Sequence, residues 1–230
     1  LYRSGIRQML PPSITFLSGP GCPVCVTPTS YIDKLVSYAL TPGYQVMAFG
    51  DLLAVPGSEM SLAGARDRGG QVDFFYNPED TLELARKNPE TTFVLAAVGF
   101  ETTAPIWANV IQQVHDEQLP NVRFLTALKT MPQAMAQISK EGRIDGFLCP
   151  GHVAVITGSK PFREMAEACR ETMVIGGFSP AELLRALGRL VLEASQKKKG
   201  LWNEYPSVVR EEGNTRALAL LQDVFTPGDA

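Results

Sequence analysis

An α/β fold of two βα-repeat lobes with mainly parallel, Rossmann-like sheets is what the sequence predicts. Short apolar runs alternate with longer amphipathic ones along all 230 residues, which is the rhythm of βαβ units. The run "TTFVLAAVGF" is continuously apolar, as a buried central parallel strand must be. The helix starts are marked as well. Ser179 precedes Pro180, with Glu182 three residues on, the pattern of a capping box.

The elements follow in order. Ile14–Leu17 reads as a first strand. A helix over Pro28–Leu40 comes next, with Pro28 at its first position and Ser30–Asp33 at capping-box spacing. Ile32, Leu35, Val36, Ala39 and Leu40 share its apolar face, and Gly43 ends it. "YQVMAFG" and "QVDFFYN" read as strands and "EDTLELARKN" as a helix. After the central strand, "ETTAPIWANVIQQVHDEQ" is a helix, "VRFLTAL" a strand and "MPQAMAQISKEG" a helix. "IDGFLCP" and "MVIGGF" are strands, each followed by a helix. "LWNEYPSVVREEGN" is polar and irregular, and Asn214 can cap a final helix, "TRALALLQDVF". A first lobe is expected over residues 1–120, a second over 121–200, and a connecting segment over 201–230.

Bulk composition narrows the function. A hydrophobic fraction of 45% with 20% charged residues suits a soluble globular protein. The net charge of −3 offers no electrostatic case for nucleic acid or anionic membrane. No apolar run approaches the ~20 residues of a membrane span, and the opening residues "LYRSGIRQMLPPS" are not expected to act as a signal peptide. Four cysteines are too few for a disulfide scaffold, so a cytoplasmic setting is expected. The sequence opens on Leu1 and reads as part of something longer.

Three unusual stretches stand at expected strand ends, where open parallel sheets bind ligands: "GPGCPVC", "GFETTAP" and "CPGHV". Cys22 and Cys25 precede a helix, whose free amides and dipole would depress a thiol pKa. Their spacing allows a redox dithiol, half of a metal site, or two inert thiols in a turn. A closed zinc site needs a second close pair, and Cys149 and Cys169 do not form one. Cys169 reads as a small core residue. Gly19 and Gly21 imitate a nucleotide-binding turn, but the third glycine is missing and the prolines have no N–H to offer a phosphate. Glu101, Thr102 and Thr103 either cap the next helix or face the cleft. His152 is a proton carrier, a ligand or a loop hydrogen-bonder, whereas His115 reads as ordinary surface. No serine stands in a nucleophile elbow and no histidine pair has helical metal spacing.

Together "SGPGCPVCVTP", "GDLLAVPGS", "AAVGFETTAP", "CPGHV" and "NEYPSVVREEGN" resemble the HypD family of NiFe-hydrogenase maturation factors over essentially the whole sequence. The resemblance implies an assembly scaffold more than a turnover enzyme. With a small HypC-type chaperone it would hold iron while cyanide, from a HypE–HypF pair, and carbon monoxide are installed. The Fe(CN)2CO unit would then pass to the hydrogenase large subunit. The family has two α/β lobes and a cysteine-rich lobe carrying a 4Fe-4S cluster. By this resemblance Cys22 and Cys25 are a redox dithiol between cluster and iron, and Glu101, Thr102, Thr103 and His152 line one cleft. The family's iron-binding Cys-Gly-x-His motif is expected before "LYRSGIRQMLPP" and its cluster cysteines after "VFTPGDA". Neither metal group is therefore expected to be bound by these residues alone. Near Ser207 the family usually has a basic residue. A free-standing thiol–disulfide oxidoreductase is the alternative.

Overall fold

Side-chain alternation around a buried sheet organises the first half of the structure. The computed structural model describes residues 5–19, 21–140, 142, 144–226 and 228. The chain divides into two units, Pro20–Lys129 with Leu220–Ala230, and Leu1–Gly19 with Thr130–Ala219.

In the first unit β1 (Tyr44–Phe49), β2 (Val72–Phe75), β3 (Thr92–Gly99) and β4 (Val122–Leu128) form a parallel sheet in the order β2-β1-β3-β4. β3 is buried from Phe93 onward, so alternate residues serve two cores. Val94, Ala96 and Val98 join Val46 and Ala48 against α1 (Thr29–Ala39) and α2 (Leu62–Asp67). Phe93, Leu95 and Ala97 join Met47 against α3 (Asp80–Lys87) and α4 (Ala104–Asp116). The helices leaving β1 and β3, α2 and α4, thus lie on opposite faces. A crevice at the carboxyl ends of these two strands is the consequence.

The expected boundary at residue 120 is corrected to Lys129–Thr130. β4 pairs with β3 from Phe93↔Val122 to Gly99↔Leu128, so "VRFLTAL" completes the first sheet instead of opening the second. Ile14–Leu17 is irregular, not a strand. The Ile14 N–H turns back to the Pro11 carbonyl at 3.0 Å, and Leu17 is 67% exposed. A short apolar run with no neighbouring strand has no ladder to join.

The second unit holds β5 (Phe147–Pro150), β6 (Thr172–Gly176) and β7 (Gly200–Asn203), parallel in the order β5-β6-β7. β6 is central and buried at every residue. The helices are α5 (Met131–Ser139), α6 (Gly151–Thr157), α7 (Lys160–Cys169) and α8 (Pro180–Ser195). β7 corrects the expectation of an irregular segment from residue 201. As a half-buried edge strand it tolerates the polar residues that hide it in the sequence. The capping box of α8 forms as expected: the Glu182 carboxylate accepts from the Ser179 N–H at 2.9 Å, and Ser179 Oγ accepts from the Glu182 N–H at 3.3 Å. Asn214 likewise caps α9 (Thr215–Val224), accepting from the Ala217 N–H at 3.1 Å. Among the described residues no helix is long and apolar enough to cross a membrane.

Candidate functional site

Prolines build the CPVC turn. Pro23 stands before the 3-10 turn Val24–Val26, and Thr27 Oγ1 donates to the Pro23 carbonyl at 2.9 Å, closing it. Pro28 is the N-cap of α1, one residue earlier in the helix than expected, and makes no side-chain cap. Cys22 is half-buried, Cys25 is exposed, and both are free thiols. The Cys22 sulfur accepts hydrogen bonds from the Cys25 thiol and from the Cys25 and Val24 N–H groups, which hold its pKa below the ordinary thiol value. Cys25 is held above it, first because it donates to Cys22 and then because it would ionise beside it. The larger causes are local to the CPVC turn, and α1 begins only after Pro28. Such a pair has one sulfur that ionises more readily than the other.

The turn walls an open crevice of about 460 Å³ at the switch point of the sheet. Pro23 and Val24 line it together with Phe49 and Asp51 after β1, Tyr76 after β2, and Thr103 before α4. Thr103 is the N-cap of α4, but its side chain makes no capping bond. A Cβ on Gly99 would stand 2.7 Å from Thr103 Cβ, so the glycine lets the helix start close against the strand end. Glu101 is 7% exposed within this β3–α4 turn, and Thr102 is half-buried beside it. The structure thus brings the CPVC turn and Thr103 to one crevice. Phe49, Asp51 and Tyr76 are members that sequence reasoning missed. Their position directly after β1 and β2 was the available signal.

Asp33 ties α1 to the loop that follows β1. Its carboxylate accepts from Ser58 N–H at 2.7 Å and from Ser58 Oγ at 2.6 Å, where a capping box with Ser30 was expected. The Ser58 hydroxyl, then its N–H, hold the Asp33 pKa below its ordinary 3.8. A carboxylate with a lowered folded pKa contributes stability that is present above the unfolded value and lost as pH falls through the folded one. Asp33→Asn is therefore expected to lower the melting temperature at pH 7, with the deficit narrowing as pH falls below 3.8. Thermal unfolding followed by circular dichroism across pH checks this. A deficit equal at every pH would remove the ionic part of the clamp.

His152 belongs to the second unit. It lies in the first turn of α6, a helix the sequence did not reveal, and not in a loop. Its exposed ring rests against Phe178 (centroids 5.2 Å apart), which itself meets Tyr205 at 6.5 Å. Loss of water on that side lowers the His152 pKa, so the imidazole is neutral at pH 7. Phe178 and Tyr205 follow β6 and β7, again at carboxyl ends. Cys149 is buried, and burial drives its thiol pKa far up, leaving it inert. Cys169 is half-buried at the end of α7, so the core role expected for it is only partly met. Among the described residues no group of three or more His, Cys, Asp or Glu could hold a metal ion.

What these features define is an α/β protein with a free dithiol at the switch point of a parallel sheet. The family model described as "HypD: Hydrogenase formation hypA family" matches residues 1–230, and the chain belongs to that family. It is 37% identical over 227 residues to the hydrogenase maturation factor HypD of Rhodobacter capsulatus, covering 98% of this chain and 60% of that protein. Against HypD of Escherichia coli K12 the identity is 36% over 229 residues, covering 98% and 61%. The hydrogenase expression/formation protein HupD of Azotobacter chroococcum is 37% identical over 233 residues, covering 98% and 62%. The chain therefore spans about three fifths of the length of these curated relatives.

Proposed function

We propose that this protein acts in the cytoplasm as a scaffold in NiFe-hydrogenase maturation, with Cys22 and Cys25 as its redox dithiol. The observation that carries the reading is the CPVC turn, which holds two free thiols of unequal acidity and whose Pro23 and Val24 wall a ligand-sized crevice. Family membership over the whole chain supplies the process. In this reading a HypC-type chaperone shares custody of the iron, a HypE–HypF pair supplies cyanide, and the Fe(CN)2CO unit is cargo bound for the hydrogenase large subunit. Closing Cys22 and Cys25 into a disulfide forms one S–S bond and releases two electrons and two protons for reductive steps on that cargo. Cys22 is the nucleophile and Cys25 the resolving thiol. Thr103 shares the crevice lining with Pro23 and Val24, the residues between the two cysteines. Glu101 and Thr102 are the neighbouring polar groups of the same turn, and His152 is a neutral proton acceptor of the second unit. The described residues do not supply a ligand set for a 4Fe-4S cluster, so no step is assigned to one.

Serine at the positions of Cys22 and Cys25, placed in a full-length relative and returned to a strain lacking it, is expected to cut hydrogenase activity by tenfold or more, on the scale of losing a reacting group. Protein level is measured alongside. Normal maturation with either serine variant would overturn the dithiol assignment.

A further inference from the structure

Asp51 closes the carboxyl end of β1 on a well-supported frame. It lies in the 3-10 turn Gly50–Ala54, where Leu52 is 1% exposed and the Val55 N–H closes on the Leu52 carbonyl at 3.2 Å. Further along the same loop, the Asp33–Ser58 clamp ties it to α1. Among the described residues Asp51 is the charged one of the crevice lining, which it shares with Pro23 and Val24 of the CPVC turn.

We propose that Asp51 is a positioning residue of the dithiol: its carboxylate, held in the crevice that the CPVC turn walls, makes the pair a stronger two-electron donor. This rests on reading Cys22 and Cys25 as a redox dithiol. Behind the larger effects of the thiols on each other and of burial, the Asp51 charge raises the pKa of both. Tyr76 is the other titratable side chain on that wall, and it is 89% exposed. The disulfide is neutral and indifferent to a nearby carboxylate, whereas a thiolate is repelled by it. Asp51 therefore destabilises the reduced, ionised pair and leaves the oxidised one alone, which lowers the reduction potential.

With an external disulfide RS–SR as acceptor the exchange balances. The Cys22 thiolate attacks one sulfur, breaks the S–S bond and expels RS−. Cys25 then loses its proton, attacks the Cys22 sulfur and expels the second RS−. The protons given up by Cys22 and Cys25 complete two RSH. The protein's two thiols are oxidised and one external disulfide is reduced.

The test follows iodoacetamide alkylation of Cys22 across pH, by mass spectrometry, in the wild-type chain, Asp51→Asn and Asp51→Glu. Each is also equilibrated with reduced and oxidised dithiothreitol. Asp51→Asn is expected to move the alkylation profile to lower pH and to speed alkylation at neutral pH on the order of threefold. Its dithiol:disulfide ratio at a fixed buffer composition is expected to rise by up to about the same factor at pH values above the Cys22 pKa, where the reduced pair is ionised, and to stay unchanged well below it. Asp51→Glu restores both. Raising salt on the wild type to about 1 M, where the screening length is about 3 Å, moves the profile the same way and needs no variant. A profile unmoved by Asp51→Asn and by salt, with a normal disulfide, overturns the role of Asp51 alone. If the wild type never forms a Cys22–Cys25 disulfide, the dithiol reading falls and this inference falls with it.

Discussion

Gly158→Ala is expected to cost about 3 kcal/mol or more and to lower the melting temperature by about 6–12 °C. Gly158 ends α6 with φ at 81°, a region that L-residues rarely adopt. A Cβ there would overlap the Glu211 carbonyl oxygen and lie 2.7 Å from the Gly213 nitrogen. Both are backbone atoms, so no side chain can rotate away. The contact is part of a clasp. Ser159 N–H donates to the Arg210 carbonyl at 3.0 Å, Lys160 N–H to the Glu211 carbonyl at 3.3 Å, and Asn214 N–H to the Ile156 carbonyl at 3.0 Å. Residues 210–214, the end of "NEYPSVVREEGN", form this clasp against the α6–α7 turn, and the close approach requires Gly213 as well as Gly158. Gly188→Ala is the control, because its Cβ meets nothing within 4 Å on an exposed helical position. It is expected to be neutral or stabilising by up to about 1 kcal/mol. Urea unfolding of both variants decides, and equal stabilities would contradict the clasp.

Trp107→Ala is expected to cost about 3–5 kcal/mol. Trp107 is fully buried under the sheet and meets Phe49, Phe75 and Phe124 edge-on, at 5.8, 5.9 and 6.4 Å. Its indole N–H donates to the Val98 carbonyl at 3.3 Å. Phe49, Phe75 and Val98 also line the dithiol crevice, so this core is the floor of the site. The variant should alkylate faster at Cys22 as well as unfold more easily, and Trp107→Phe should recover most of the packing. Unchanged urea stability would show that the aromatic cluster is not the support it looks to be.

The parts of the fold legible in the sequence are those written in local chemistry. The β3 run has only apolar residues to bury, and Ser179, Pro180 and Glu182 leave one helix start available. The sequence misleads where the answer lies in a distant partner. Ile14–Leu17 has strand composition but no strand beside it, and Gly200–Asn203 is polar yet completes the ladder of β6. "LPNVR" looks like a domain linker and is only the loop into β4, because Asn121 is held by the Ala85, Asn88 and Thr91 carbonyls at 3.0, 3.1 and 3.1 Å. Asp33 has the spacing of a cap and is claimed by Ser58, far along the chain. At the site, the CPVC thiols and Thr103 were legible as unusual chemistry near glycine and proline. Asp51 was not, since one aspartate after one strand is ordinary until the fold places it in the crevice that the CPVC turn walls.

The most direct test titrates the anaerobically purified chain with dithiothreitol redox buffers, counting free thiols at each cysteine and measuring bound metal in parallel. Cys22 and Cys25 should oxidise together as a metal-free two-electron couple, a tenfold change in the equilibrium for each ~30 mV, while Cys149 stays reduced. If both thiols stay protected and the protein carries metal in near-equal amount, they are ligands, and the electron-carrying role is wrong.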